Sequence, residues 1–248
     1  MENKLFYFFA RSLWRSGLVK GVLFMLALSL AAAFILSSAN IGQDNKLFWD
    51  LLLIFEALWM HALTLLWAYE LCKEEELLFL ARLPLSTSLK RSAYERGRFL
   101  ALLAAFLPIV VLVAVLDAIV ASPLVVWQSL LYSLSALLGG FMVLAFSRLV
   151  SSVSALLFST AFLALGNGLD ELYLYATMQK DSGAVLKAAS EILFVAAPNF
   201  SFFDHQGEAV AGVWDSVFSF WALPPLYFAL LSGALFALAV WRFNQKAI

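Results

Sequence analysis

Apolar residues fall in six long blocks separated by short polar stretches, at about 21–38, 48–69, 99–120, 126–147, 153–169 and 217–241. A helix crossing a bilayer needs roughly 20 predominantly apolar residues. The blocks therefore predict six transmembrane helices, the fifth being the shortest. One such block could be the core helix of a water-soluble domain, but six in one chain cannot. The fold class expected is an all-α integral membrane protein, with residues 1–248 forming a single transmembrane domain.

Composition strengthens that picture. The chain is 63% hydrophobic and 13% charged, whereas soluble domains run near 45–50% and 25%. The formal net charge of −1 provides no field to attract nucleic acid. Cys72 is the only cysteine, so no internal disulfide can form. The basic N-terminal region, the first apolar block and Ser37-Ser38-Ala39 share features with a cleavable signal peptide. The basic region is long and itself rich in apolar residues, so the first block is expected to be a retained span.

Charge then sets orientation through the excess of Lys and Arg in cytoplasmic loops. With the N-terminus inside, 13 of the 16 Lys and Arg residues lie on the inner side, and Lys46, Lys180 and Lys187 lie outside. Both termini are then cytoplasmic. The largest inner loop, 70–98, holds five acids and six bases around an apolar LLFLARLPL stretch. The long outer loop, 170–216, is rich in acids.

Two elements beside the spans follow from helical periodicity. Within 1–16, Lys4, Arg11 and Arg15 fall in an arc of about 40°, at 100° per residue. Phe6, Phe9 and Leu13 lie on the opposite face, with Phe8 an exception. This pattern suits a helix lying in the inner interface, its bases toward anionic membrane lipids; a helix that merely prolongs the first span also fits. In the outer loop, residues 184–197 have apolar positions at helical spacing but are too few to cross. They predict a re-entrant or surface-lying helix ended by Pro198, with a loop at the interface after it.

Candidate chemistry is sparse. The chain has no G-x-x-x-x-G-K-[ST], H-E-x-x-H or G-x-S-x-G, so no nucleotide, zinc or serine-hydrolase motif is present. Its two histidines, His61 and His205, offer little for a metal. Gly166-Asn167-Gly168 reads as a helix end. Gly139-Gly140 permits close helix approach, and Pro224-Pro225 is expected to kink the sixth span. Charged groups inside spans are costly and call for a functional hypothesis. Glu56 lies near mid-depth of the second span, and His61 is about 140° further round the helix. Either they line a translocation path or dimer seam, or Glu56 is simply hydrogen-bonded within the bundle. Asp117, near the outer end of its span, is expected to reach toward the interface.

The order of these features resembles the permease subunits of ABC-2 type ABC transporters. The resemblance rests on Glu74-Glu75-Glu76, the leucine-rich stretch Leu77 to Leu80, Leu83-Pro84-Leu85-Ser86 and Arg96, similar to the family's acidic turn, short helix, Pro-hydrophobic-Ser step and following base. The segment 192–212, with its Pro-Asn-aromatic sequence, is similar to the one before the family's last span. Many members have Gly-Thr after the acidic turn, where this chain has Glu and Leu.

The resemblance implies that the 70–98 loop contains a cytoplasmic coupling helix docking a separate ABC ATPase subunit. Glu74, Glu75, Glu76, Leu77, Leu80, Arg82, Leu83, Pro84, Leu85 and Arg96 would make the contacts. It also implies a second permease subunit, in a homodimer or a related heterodimer, and an exporter in a bacterial inner membrane. The chain itself would be non-catalytic and hold no cofactor, ATP and Mg being bound by the partner. Two other classes remain: a permease-like subunit that transmits ATPase work to envelope partners without moving solute, and an intramembrane enzyme using Glu56, His61 or Asp117.

Overall fold

Two adjacent glycines set how tightly this chain packs, because a helix with no Cβ at the contact lets its neighbour's backbone come close. The computed structural model describes residues 2–15, 17–38, 44–78, 91–120, 123–178, 187–188, 190–192, 198–206, 209 and 221–245. In order these form α1 (Glu2–Arg15), α2 (Leu18–Ser38), α3 (Asp44–Leu78), α4 (Arg91–Val120), α5 (Pro123–Phe146), α6 (Ser152–Asn167), α7 (Leu169–Met178), a 3-10 turn (Ser201–Phe203) and α8 (Leu223–Gln245). Four of them, α3, α4, α5 and α8, are long and apolar enough to cross a membrane. The protein thus has the build of an integral membrane protein. Beside these four, α2 has 21 residues. At 16 residues, α6 spans only about 24 Å at 1.5 Å per residue.

Helix α5 is the axis, packed by α3, α4, α6 and α8. A Cβ on Gly140 would lie 2.7 Å from Leu102 Cδ2 on α4 and 3.1 Å from the Thr64 carbonyl oxygen on α3. One on Gly139 would lie 2.6 Å from Leu163 Cδ1 on α6. Thr64 Oγ1 uses this closeness to donate 2.7 Å to the Ala136 carbonyl across the α3–α5 seam. The close approach expected at Gly139-Gly140 is therefore realised on three sides.

Helix α1 lies against α4 and the end of α3. Phe9 and Leu13 are buried, Arg11 and Arg15 are exposed, and Phe8 is 45% exposed. This is the division of faces that the spacing predicts. Each buried large apolar side chain contributes about 1.5–3 kcal/mol relative to exposure in water. Phe9 meets Tyr94 edge-on at 5.7 Å between centroids. The end of α8 is at the same end of the bundle, where Arg91 Nη1 donates 2.9 Å to the Asn244 carbonyl. Both α1 and the last turn of α8 therefore belong to one end, called the basic end below.

Pro224 and Pro225 fall in the first turn of the α-helix Leu223–Gln245, where missing N–H donors cost nothing; residues 217–220 of the expected sixth span lie outside the described residues. The segment after Pro198 packs its aromatic side chains into the bundle while Asp204 stays exposed. Phe200 and Phe203 are fully buried at the far end of the bundle, and the Phe200 N–H donates 3.2 Å to the Gly166 carbonyl. A Cβ at Gly166 would strike the Pro198 carbonyl and the Phe200 ring, so glycine is needed for this approach. Gly168 ends α6 as expected, its N–H bonded to the Leu165 carbonyl. Of the outer-loop helix expected at 184–197, all but five residues lie outside the described set.

Candidate functional site

Four charged side chains meet inside the basic end. Glu75 comes from the last turns of α3, Glu95 and Arg98 from the first turns of α4, and Arg148 from the turn that follows α5. Arg98 is 3.3 Å from Glu75 and 3.1 Å from Glu95, and Arg148 is 2.5 Å from each of the same two acids. All four are buried. Two positive and two negative charges make the group neutral, and each arginine can hold both carboxylates because the guanidinium is a multi-donor fork. The cluster is further closed by Arg98 Nη2 to Cys72 Sγ at 3.1 Å and by the Arg148 guanidinium over Phe243, 4.6 Å from its ring centre.

The residues implied to dock an ATPase divide around this quartet. Glu74, Glu75, Glu76 and Leu77 lie in the continuous helix α3, not in a turn. Glu75 points inward into the quartet, and Glu74 accepts 2.6 Å from Ser12 Oγ of α1. Arg96 is exposed on α4. Leu80, Arg82, Leu83, Pro84 and Leu85 lie outside the described residues. The quartet thus fastens together the two helices that lead into and out of residues 79–90.

Glu56 and His61 go to different places. Glu56 is buried and accepts 2.9 Å from Ser129 Oγ of α5. Asp117 of α4 meets the same hydroxyl at 2.6 Å and is also buried, which corrects the expectation that it reaches to the interface. One hydroxyl has one hydrogen, so the two carboxyl groups share a single donor. His61 donates from Nδ1 to the Ala57 carbonyl at 2.6 Å and places Nε2 3.0 Å from Ser135 Oγ. Ser135 lies about 9 Å along α5 from Ser129, so the three titratable groups do not form one centre. His61 instead lines a groove of 580 Å³ between α3, α5 and α6, with Tyr132, Asn167, Asp204 and Gln206 among its polar walls. That volume suits a small amphipathic molecule.

The far end of the groove is held by the segment after Pro198. Gln128 of α5 donates 2.8 Å to the Phe203 carbonyl and accepts 3.0 Å from the His205 N–H. Tyr132 donates to Asp204 at 3.0 Å, and Gln206 reaches Asp50 of α3 at 3.1 Å. Sequence reasoning singled out neither Gln128 and Ser129 nor the pairing of Glu95, Arg98 and Arg148. The only local hint was the three-residue spacing of Glu95 and Arg98, which puts them on one helix face. Among the described residues no three His, Cys, Asp or Glu side chains gather as a metal site. No protein-family model, curated protein or solved structure matches this chain.

Proposed function

We propose that this chain is the membrane-spanning permease subunit of an ATP-driven transporter of the ABC-2 type. It crosses a bacterial inner membrane six times with both termini in the cytoplasm, the basic end facing inward. A separate ATPase subunit docks on residues 79–90, and a second permease subunit completes the pore. Export of an amphipathic cargo is the direction and class that fit best.

The observation that carries this reading is the neutral quartet of Glu75, Glu95, Arg98 and Arg148. A loop that receives force from a moving partner must pass it to rigid elements, or the work is lost in bending the loop. Here both flanking helices are joined directly beside the loop, and Arg148 adds the end of α5. A push on 79–90 would then displace α3, α4 and α5 as one body. His61 and the 580 Å³ groove lie on that body, so the same displacement would alter the space available to cargo.

The test is co-expression of the chain with candidate ATPase subunits, comparing wild type with a Leu80→Asp, Leu83→Asp variant. Co-purification of the ATPase with wild type and its loss from a folded variant is the expected result. An ATPase retained by the variant, or none bound by wild type, would remove the docking reading.

A further inference from the structure

At the basic end, α1 lies across the last turns of α3 and leaves a cavity of 540 Å³ between them. One wall carries Arg11 and Arg15, one turn apart on α1, with Phe8 and Ser12. The other carries Glu70 and Glu74, one turn apart on α3. Opposite charges that face each other at a helix contact ordinarily pair. Among the described residues, however, every ion pair belongs to the buried quartet. The two bases and two acids stand apart across the cavity instead. Glu74 uses Oε1 to accept from Ser12, which fixes its carboxylate on the cavity wall.

We propose that this cavity binds the headgroup of a zwitterionic aminophospholipid, of the phosphatidylethanolamine type. The phosphate lies against Arg11 and Arg15, whose guanidinium groups bind oxyanions through paired N–H donors. The primary ammonium lies against Glu70 and Glu74 and donates hydrogen bonds to the carboxylates on that wall. Both charges of the ligand are answered, and the neutral sum of the four side chains matches a neutral headgroup. A choline headgroup lacks any N–H and can donate to neither carboxylate. A glycerol headgroup lacks the positive charge and leaves two carboxylates facing a neutral group. The occupant is a membrane lipid because Tyr7, Phe8 and Trp14 are exposed on the same helix at 70%, 45% and 43%. Aromatic rings of this kind sit at headgroup level. The inference requires a membrane protein but not the transporter reading.

The experiment uses the full chain, delipidated in a neutral detergent. Phosphatidylethanolamine, phosphatidylcholine and phosphatidylglycerol with identical acyl chains are titrated separately, and bound lipid is counted by native mass spectrometry. Wild type should bind the ethanolamine lipid at least about tenfold more tightly than the choline lipid, the worth of one hydrogen bond to a charged group. Glu74→Gln should abolish that preference, and Arg11→Gln with Arg15→Gln should weaken both lipids together. Should Glu74→Gln fail to fold, Glu70→Gln carries the same arm. Equal binding of ethanolamine and choline lipids by wild type would overturn the proposal. So would tightest binding of the glycerol lipid, which would mark general attraction of α1 to anionic surfaces.

Discussion

Replacing Arg148 by Met keeps the aliphatic stem but removes the guanidinium, and with it one charge of the quartet and the contacts to the Phe243 and Tyr94 rings. Glu75 and Glu95 then share Arg98 alone, and a net negative charge stays buried. Breaking a buried pair in this way costs about 3–5 kcal/mol, because the abandoned partner has no water to fall back on. For a chain of this length that corresponds to a fall in melting temperature of about 6–20 °C. Cys72 supplies the assay. It is the only cysteine, it is buried, and it touches Arg98. A maleimide dye that fluoresces on reaction with thiols therefore reports opening at the cluster itself. Adding Glu95→Gln to Arg148→Met restores neutrality, and the double variant should recover about 1–3 kcal/mol relative to Arg148→Met. If Arg148→Met melts within about 2 °C of wild type, below the least shift expected, the quartet is not a fastening. A double variant that melts no higher than Arg148→Met would refute the charge-balance argument even if the single variant is weakened.

Gly140→Ala should destabilise more than Gly139→Ala in the same melting assay, by about 1–3 kcal/mol for the former, the usual cost of overfilling a packed site. The Gly140 Cβ meets a backbone carbonyl at Thr64 that cannot rotate away, whereas the Gly139 Cβ meets only the Leu163 side chain. Ser129→Ala should cost about 1–3 kcal/mol by taking the shared hydroxyl from two buried carboxyls, while Glu56→Gln, which keeps the shape and adds a donor, should lie close to wild type. The reverse order in thermal unfolding would show that the hydroxyl does not join them.

What could be read along the chain was what depends on neighbours in sequence. The faces of α1 follow from angles of 100° per residue, so Phe9 and Leu13 buried with Arg11 exposed required no knowledge of the fold. Gly139-Gly140 announced a close contact, although not that three helices would share it. The quartet was invisible for the opposite reason. Glu75, Glu95 and Arg148 stand 20 and 53 residues apart, and only the register of α3, α4 and α5 brings them together. Counted by side, Arg98 and Arg148 were two cytoplasmic bases among 13. Glu75 was one acid in a charged loop, since nothing local distinguishes a helix that continues to Leu78 from one that ends at the membrane.

The segment from Pro198 hid itself in a similar way, because its nine described residues through Gln206 carry no periodicity long enough to mark an element packed into the bundle. Its two signals, the Phe200–Phe203 spacing and the glycine at 166, are meaningful only once α6 and the segment are placed side by side. The same logic separates the two polar clusters in kind. At the far end, Gln128 and Tyr132 meet an irregular backbone that needs donors and acceptors wherever it passes through apolar surroundings. At the basic end, the backbone is already satisfied by helix, so the four charges serve no such need. Their burial is costly unless the pairing holds the helices in one arrangement. That is why the fastening beside residues 79–90, rather than the more extensive hydrogen bonding at the far end, is the feature from which transmission of force should be argued.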